Sequence, residues 1–387
     1  MTPLQTLSIA DASNQSWDVI IIGAGPAGTV AARQLALSGY QVLLIERKLF
    51  PRYKVCGGCL NQRAVKALDE IGLRPLLSKL SAVPLDQFQM RYRGGKVQIP
   101  LPGGLAVSRS AFDTELTREA AGSGVRFLGE TTALVCGEVK SSPSRKVELY
   151  QQGALCGTAE ASVILVADGL GHPSLQQCQE FESVVSPDSR IGVGGLLPED
   201  LTSEYPPGII HMALHKSGYV GLARVETGQL NIAAAIDRTL IKQYQSATKA
   251  VLQILNDSGF PVPPSFQKIN LKGTVPLTRN TVRPAAHRIL LIGDAAGYLE
   301  PFTGEGMANA ISEGIAAAQI VPQGLSDWDS SLEEEWLQMH QTLTLGRWNW
   351  CRWLSQLLRS PTAIGVGLRL FRWFPGAARP IIASLNH

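Results

Sequence analysis

The sequence predicts an α/β protein: a Rossmann-like nucleotide-binding domain, a mixed β-sheet domain interleaved with it, and a helical C-terminal tail. Three observations carry that reading. A strand, a glycine turn, a helix and a second strand follow one another in "DVIIIGAGPAGTVAARQLALSGYQVLLIER" (18–47). Two distant apolar runs, 162–166 and 289–292, lead into Asp168-Gly169 and Gly293-Asp294. The segments between these runs alternate apolar and polar residues at strand period.

The opening unit gives each residue type a reason. Asp18 to Ile22 form a short apolar strand, and Gly23, Gly25 and Gly28 follow in G-x-G-x-x-G spacing. Gly23 permits the tight turn, Gly25 lets the backbone approach a pyrophosphate, and Gly28 lets the helix pack on the strand. Pro26 to Ser38 read as that helix, Gly39 ends it, and Gln41 to Ile45 form the second strand. The helix N-terminus offers free N–H groups and partial positive charge to phosphates. Gly23, Gly25, Pro26, Ala27 and Gly28 are therefore candidate cofactor-binding residues. Glu46 stands eighteen residues past Gly28, where a carboxylate accepts from ribose hydroxyls, and Arg47 follows it. A carboxylate there repels a 2′-phosphate, so NADP is disfavoured in this site. The dinucleotide is NAD or FAD on this evidence.

Composition narrows the class. The chain has 387 residues, 45% of them hydrophobic and 17% charged, with a net charge of +3, so it is globular and carries no global nucleic-acid signal. Six cysteines, at 56, 59, 136, 156, 178 and 351, are scattered as cytosolic thiols rather than framed as disulfides. No second C-x-x-C or histidine pair completes a zinc site with Cys56 and Cys59, so no metal is expected. The N-terminal stretch lacks a signal-peptide pattern, and no apolar run is long enough to span a bilayer, which gives a cytoplasmic expectation. The stretch 141–146, SSPSRK, reads as a turn between strands.

The cofactor becomes specific with the distant segments. "SVILVADGLGHPS" (162–174) runs a strand into Asp168. In "HRILLIGDAAGYLEPFTGEGMANAISEGIAAAQIV" (287–321), a strand is followed by Gly293-Asp294, a loop with Pro301, and a small-residue helix from about Glu305. "VSRSAFDTEL" (107–116) starts another helix at Arg109. Together with the first glycine motif, these resemble the FAD-dependent superfamily of p-hydroxybenzoate hydroxylase, geranylgeranyl reductases and flavin-dependent halogenases. The resemblance reaches to about residue 320. It implies FAD, with Asp294 on the ribityl hydroxyls, Arg109 at the pyrophosphate or ribityl region, and Asp168 among the cofactor residues. It also implies that the helix N-terminus at Gly304, Gly306 and Met307 faces the pyrimidine edge of the flavin. That edge gains negative charge on reduction, which a helix dipole favours.

"FPRYKVCGGCLNQRAVKAL" (50–68) resembles the flavin-side loop of the reductases in that superfamily. Cys56 matches the family cysteine, which makes it the candidate catalytic residue and, with Gly57 and Gly58, part of the flavin wall. Cys59 departs from the family, which has glycine there. A redox disulfide, a pocket-shaping thiol and plain packing are the readings of the pair. "FQMRYRGGKVQIPL" (88–101) reads as a hairpin around Gly94-Gly95, and 208–237 as three strands. In the resembled family such a sheet roofs the isoalloxazine and its floor holds substrate. Tyr92, His211, His215 and Tyr219 are candidate lining residues, with the ligand-facing side open. The expected division is 1–75, 102–180 and 280–325 for the FAD-binding domain, 76–101 and 181–279 for the substrate domain, and 326–387 for the C-terminal helical region.

From Trp336 onward there is no acidic residue, against six arginines and five tryptophans. In "RWNWCRWLSQLLR" (347–359), Trp350, Trp353, Leu354, Leu357 and Leu358 share one helical face. Peripheral contact with an anionic membrane suits that pattern, as does packing on the body or closing over a greasy substrate. The function the family resemblance implies is an FAD-dependent oxidoreductase acting on a hydrophobic small molecule, with reduction of C=C bonds favoured. "PFTGEG" and the CGG loop resemble the geranylgeranyl reductase branch. The alternatives are a monooxygenase of an aromatic or polyketide-type substrate, and an electron-transfer flavoprotein working with a quinone or ferredoxin. The halogenase Trp-x-Trp-x-Ile-Pro signature is missing at Trp348 to Arg352. Ser174 lacks the arginine that follows it in hydroxylases, so NAD(P)H and other donors stay open.

Overall fold

The computed structural model describes residues 4–137, 142–198, 204–263, 266, 269–300, 302, 304–374 and 376, with the side chains of 345–348 and 350 excepted. Ser141, Pro301, Thr303, and the Trp348 and Trp350 side chains of the motifs above lie outside these described residues. The molecule is a mixed α/β structure built on two large sheets.

The first sheet runs, in spatial order, through the strands Ala285–Ala286, Ile289–Leu291, Ala154–Val166, Ser16–Ile22, Val42–Ile45 and Arg126–Leu128. Its central pairs are parallel: 16–22 lies between 154–166 and 42–45, and 154–166 also pairs with 289–291. Parallel neighbours require crossovers, and the Pro26–Leu37 helix supplies the first. A strand covered on both faces must be apolar throughout. Val19 and Ile21 enter one core, with Leu35, Leu44 and Trp336, whereas Ile20 and Ile22 enter the other, with Trp17 and Leu149. The strand Arg145–Gln151 pairs antiparallel with Thr132–Val135 and with the outer half of Ala154–Val166, so Arg145 and Lys146 belong to a strand rather than to a turn.

The second sheet has seven strands in the order 272–276, 191–197, 230–236, 218–224, 209–215, 87–92 and 95–100. Only 209–215 and 87–92 are parallel among its pairs, which makes the sheet mixed. The three strands expected over 208–237 are Ile209–His215, Gly218–Arg224 and Leu230–Ile236. The hairpin turn sits one residue earlier than the glycine pair implies. Tyr92 pairs with Gly95, and the central residues are Arg93 and Gly94, at φ 48° and 78°. Two consecutive left-handed residues make the primed turn that suits a two-residue hairpin, and Gly94 takes the second without strain.

The helix Glu305–Ile320 packs chiefly on Pro26–Leu37, and small residues permit the close approach. A Cβ on Gly314 would stand 2.5 Å from the Ala27 carbonyl oxygen. The tail is a long helix, Ser330–Leu357, a break at Leu358 to Ser360, and a second helix, Pro361–Trp373. Trp336 of the long helix is fully buried and donates its indole N–H to the Leu291 carbonyl at 3.1 Å. The second helix lies against the hairpin 87–100.

Candidate functional site

The two sheets and the tail enclose a cavity of about 560 Å³. One end is bounded by the Gly25-Pro26-Ala27 turn, the Lys54–Asn61 loop, Arg109, Gly293-Asp294 and the helix start at Gly304 to Met307. The other is an apolar chamber between the second sheet and the tail helices.

The three glycines of the first motif do different work. A Cβ on Gly23, where φ is +106°, would lie 2.4 Å from the Ala167 carbonyl oxygen, and one on Gly28 would lie 2.1 Å from the Gly23 carbonyl oxygen. Both therefore serve the turn and the packing of helix on strand. Gly25 has an extended backbone, and the nearest atoms to its Cβ position are Arg109 Nη2 at 3.9 Å and Arg52 Nη2 at 4.0 Å. Open space, two guanidiniums and the N-terminus of a twelve-residue helix converge there. An anion such as the FAD pyrophosphate fits that donor set.

The charges around this cradle are held in place. Arg109 grips Asp113 with two bonds of 2.8 Å, and Arg52 reaches Asp113 at 3.1 Å and Glu46 at 3.3 Å. Burial pulls the Arg109 guanidinium down, but the Asp113 carboxylate and neighbouring Cys56 more than reverse it, so its net direction is up. Glu46 is buried and accepts from the Ala24 N–H at 3.1 Å and the Lys48 N–H at 3.0 Å. It thus braces the glycine turn from behind. Arg47 beside it is exposed, and Arg52 occupies the inward position. No pattern in "FPRYK" marks Arg52 for that place, because its partners are 6 and 61 residues away in sequence.

At the opposite wall, Lys54 Nζ pairs with Asp294 Oδ2 at 3.3 Å. Gly293 turns at φ 62°, and its N–H donates to Glu313 at 2.6 Å. Asp168 sits outside the cavity lining and accepts from the Ser174 N–H at 2.8 Å, and burial pushes its carboxyl up to about 6. Its neighbours Ala167, Gly169 and Leu170 are the residues of that segment that reach the cavity.

The loop with both cysteines lines the cavity from Lys54 to Asn61. Gly58, at φ +68°, passes within 2.9 Å (as a Cβ) of the Val107 carbonyl oxygen, and Asn231 donates to the Cys56 carbonyl at 2.8 Å. Both thiols are free. Cys56 neighbours Arg109, whereas the Cys59 thiol donates to the Gly57 carbonyl at 3.4 Å. Burial, and then Cys56, push the Cys59 thiol up to about 12. Behind the loop, Arg63 pairs with Glu305 at 3.0 Å and ties the helix Gln62–Glu70 to the start of the Glu305 helix.

Of the four candidate residues on the second sheet, Tyr219 lines the cavity. Tyr92 packs outside its lining, and His211 and His215 lie on the far face. His211 is buried against Gln89, Tyr205 and Phe260, and His215 lies 3.8 Å from Asp257. Met212 and Leu214 take the cavity side of that strand, as alternation requires. In the tail, Trp353, Leu354, Leu357 and Leu358 all line the chamber, joined by Ile364, Leu368 and Phe371 of the last helix.

Residues 16–331 match the family model described as FAD binding domain. The chain is 27% identical over 351 residues to the menaquinone reductase of Mycolicibacterium smegmatis, covering 84% of this chain and 82% of that protein. It is 26% identical over 328 residues to the digeranylgeranylglycerophospholipid reductase of Methanosarcina mazei, covering 82% and 77%. Among solved structures, a flavoprotein/dehydrogenase from Cytophaga hutchinsonii superposes with a TM-score of 0.70 at 18% identity, covering 84% of this chain and 83% of that one. That last likeness is one of fold.

Proposed function

The chain belongs to the FAD-binding domain family, and from that premise we propose that this FAD-dependent oxidoreductase reduces carbon–carbon double bonds in a neutral, largely hydrocarbon substrate of prenyl type. The observation that carries the reading is the distribution of charge along one cavity. Its charged lining residues are Lys54, Arg109 and Asp294, all at the cofactor end and all ion-paired. Among the described residues the chamber beyond them has no charged side chain. An ionised group there would lose its hydration without a partner, which costs several kcal/mol. A polyprenyl chain loses nothing and gains about 0.8 kcal/mol per buried CH₂. The relatives named as reductases of menaquinone and of a digeranylgeranyl lipid point to the same substrate chemistry.

Bound FAD supplies two-electron hydride chemistry. The chain's own residues would hold it: Gly25 with Pro26 and Ala27, Arg109 and Arg52 at the pyrophosphate, Asp294 at the ribityl chain, and Gly304, Gly306 and Met307 at the pyrimidine edge. Glu46, Gly23 and Gly28 keep that platform in shape. The loop with Cys56, Gly57 and Gly58 forms the wall beside the ring, and the tail excludes water from the chamber. The tail also offers a peripheral membrane contact, since Trp353 and Leu370 line the chamber while being 50% and 47% exposed. Arg352, Arg369 and Arg372 are exposed close by in sequence. Anaerobic incubation of the dithionite-reduced protein with a prenylquinone and a geranylgeranyl lipid tests the reading. Products with a prenyl double bond saturated are expected, still two hydrogens heavier after the quinone ring has been reoxidised. Oxygen-dependent hydroxylation of a phenolic compound, with no reduction of either lipid, overturns it in favour of a monooxygenase.

A further inference from the structure

The apolar chamber contains one hydroxyl whose surroundings set it apart. Tyr219 lies on the strand Gly218–Arg224, paired with Leu214 on one side and Ala235 on the other. Its ring is 7% exposed and lines the cavity. Phe302 meets it edge-on at 5.2 Å and itself meets Phe88 at 5.9 Å, which gives the phenol a defined position. Among the described residues the Tyr219 hydroxyl has no hydrogen-bond partner. Buried hydroxyls ordinarily find one, so this one is free for a ligand.

Three other proton-bearing groups of the lining are engaged, and the Cys56 thiol sits beside Arg109 at the cofactor end. Lys54 is paired with Asp294, Arg109 with Asp113, and the Cys59 thiol with the Gly57 carbonyl. Tyr298 belongs to the cofactor end, where a Cβ on Gly306 would stand 3.6 Å from its ring. Behind Tyr219, the Arg190 guanidinium sits 5.8 Å from the ring centroid. Arg190 is fully buried and is held by Glu300 at 2.8 Å and Asp237 at 3.2 Å. Burial and then Glu300 raise the Tyr219 hydroxyl well above its ordinary value, so it stays protonated until it meets a strong base.

We propose that Tyr219 is the proton donor that completes double-bond reduction in this chamber. The proposal rests on the reading of the chain as a double-bond reductase. One alkene carbon gains a hydride, with its two electrons, from the reduced cofactor. The neighbouring carbon uses the former π pair to take the proton from Tyr219 Oη. The O–H pair stays on Tyr219 as a phenolate facing Arg190, and water regains access to reprotonate it when the product leaves. The cofactor is reduced again by an external two-electron donor, dithionite in the test below.

The test compares wild type with Tyr219→Phe, which removes only the hydroxyl. Dithionite-reduced holoenzyme is given a short-chain prenylquinone in D₂O. FAD affinity and the substrate-induced change of the flavin spectrum are measured alongside. The wild type is expected to place two solvent deuteriums on the reduced unit. One arrives as the hydride, since dithionite supplies only electrons and the reduced cofactor takes its hydrogen from solvent, and one comes from the exchanged Tyr219 hydroxyl. Tyr219→Phe is expected to form product about 10²–10⁴-fold more slowly, the usual contribution of a general acid, with both binding readouts within twofold of wild type. A loss under tenfold overturns the proposal. So does a loss of FAD or substrate binding of the same size as the loss of rate, which assigns Tyr219 to structure alone. A wild type that reduces no prenyl double bond overturns the reductase reading itself, and the proposal with it.

Discussion

Lys54 Nζ lies 3.3 Å from Asp294 Oδ2, joining the loop after the second strand to the end of a strand 240 residues later. The pair closes the cofactor end of the cavity, and its side chains are 36% and 22% exposed. An ion pair this well solvated contributes about 1 kcal/mol or less. In the proposed placement of FAD, Asp294 matters more as an acceptor for the ribityl hydroxyls. Asp294→Ala is expected to weaken FAD by about 1.5–3 kcal/mol, the range for hydrogen bonds to charged groups. Lys54→Met is expected to change it by less than threefold. Equilibrium titration of apoprotein with FAD checks both.

Gly25→Val is expected to abolish FAD binding while the apoprotein stays folded. The backbone at Gly25 is ordinary and its Cβ position has only side-chain ends about 4 Å away, so only a ligand is displaced. Gly28→Val is expected to unfold the domain, because its Cβ meets a carbonyl oxygen at 2.1 Å. Thermal melts of the two apoproteins, set beside flavin content, separate the roles.

Cys59 is expected to resist alkylation. With its thiol pushed up to about 12, the thiolate fraction at pH 8 is roughly 1 in 10⁴, and the thiolate is the reactive form. Cys59→Gly is expected to retain FAD and turnover, whereas Cys56→Ser, beside Arg109, alters the flavin spectrum. Loss of two thiols on oxidation, with equal loss of activity in both variants, would show a working disulfide instead.

His211 is expected to set part of the acid limb of stability. Burial pulls its imidazole down to about 4 from 6.5. The folded state therefore holds it neutral, and the unfolded chain takes up the proton first. Its contribution is present above pH 6.5 and is lost as pH falls from 6.5 through about 4. His211→Phe is expected to flatten the fall in melting temperature across that window, measured from pH 7 to 4.

The tail is expected to bring the protein to anionic liposomes at low salt and to release it as salt rises. Trp353→Glu is expected to weaken that flotation while FAD stays bound, because half of the Trp353 surface is exposed. Absence of flotation at every salt concentration would leave the tail as a chamber wall only.

The nucleotide platform was legible in the sequence because every part of it is local. A strand buried on both faces must be apolar, a left-handed turn at Gly23 needs glycine, and the helix starts at Pro26 directly after that turn. The whole unit from Ser16 to Ile45 forms from neighbours in sequence. The single-sided tail helix was legible for the same reason, since helical period alone places Leu354, Leu357 and Leu358 together.

Tertiary structure decided the rest. Both faces of the strand Ile209–His215 are buried, one against Tyr205 and Phe260 and one against the cavity. Alternation says that His211 and Met212 face opposite ways but cannot say which way is inward, because both environments accept buried side chains. Only the packing of the helix Ala247–Ser258 on one face, and of the tail on the other end of the cavity, makes the choice. The guanidinium of Arg52, the Lys54–Asp294 pair and the place of Tyr219 follow from the same cause. Each depends on partners far apart in the chain, and no local spacing encodes a distance that the fold itself creates.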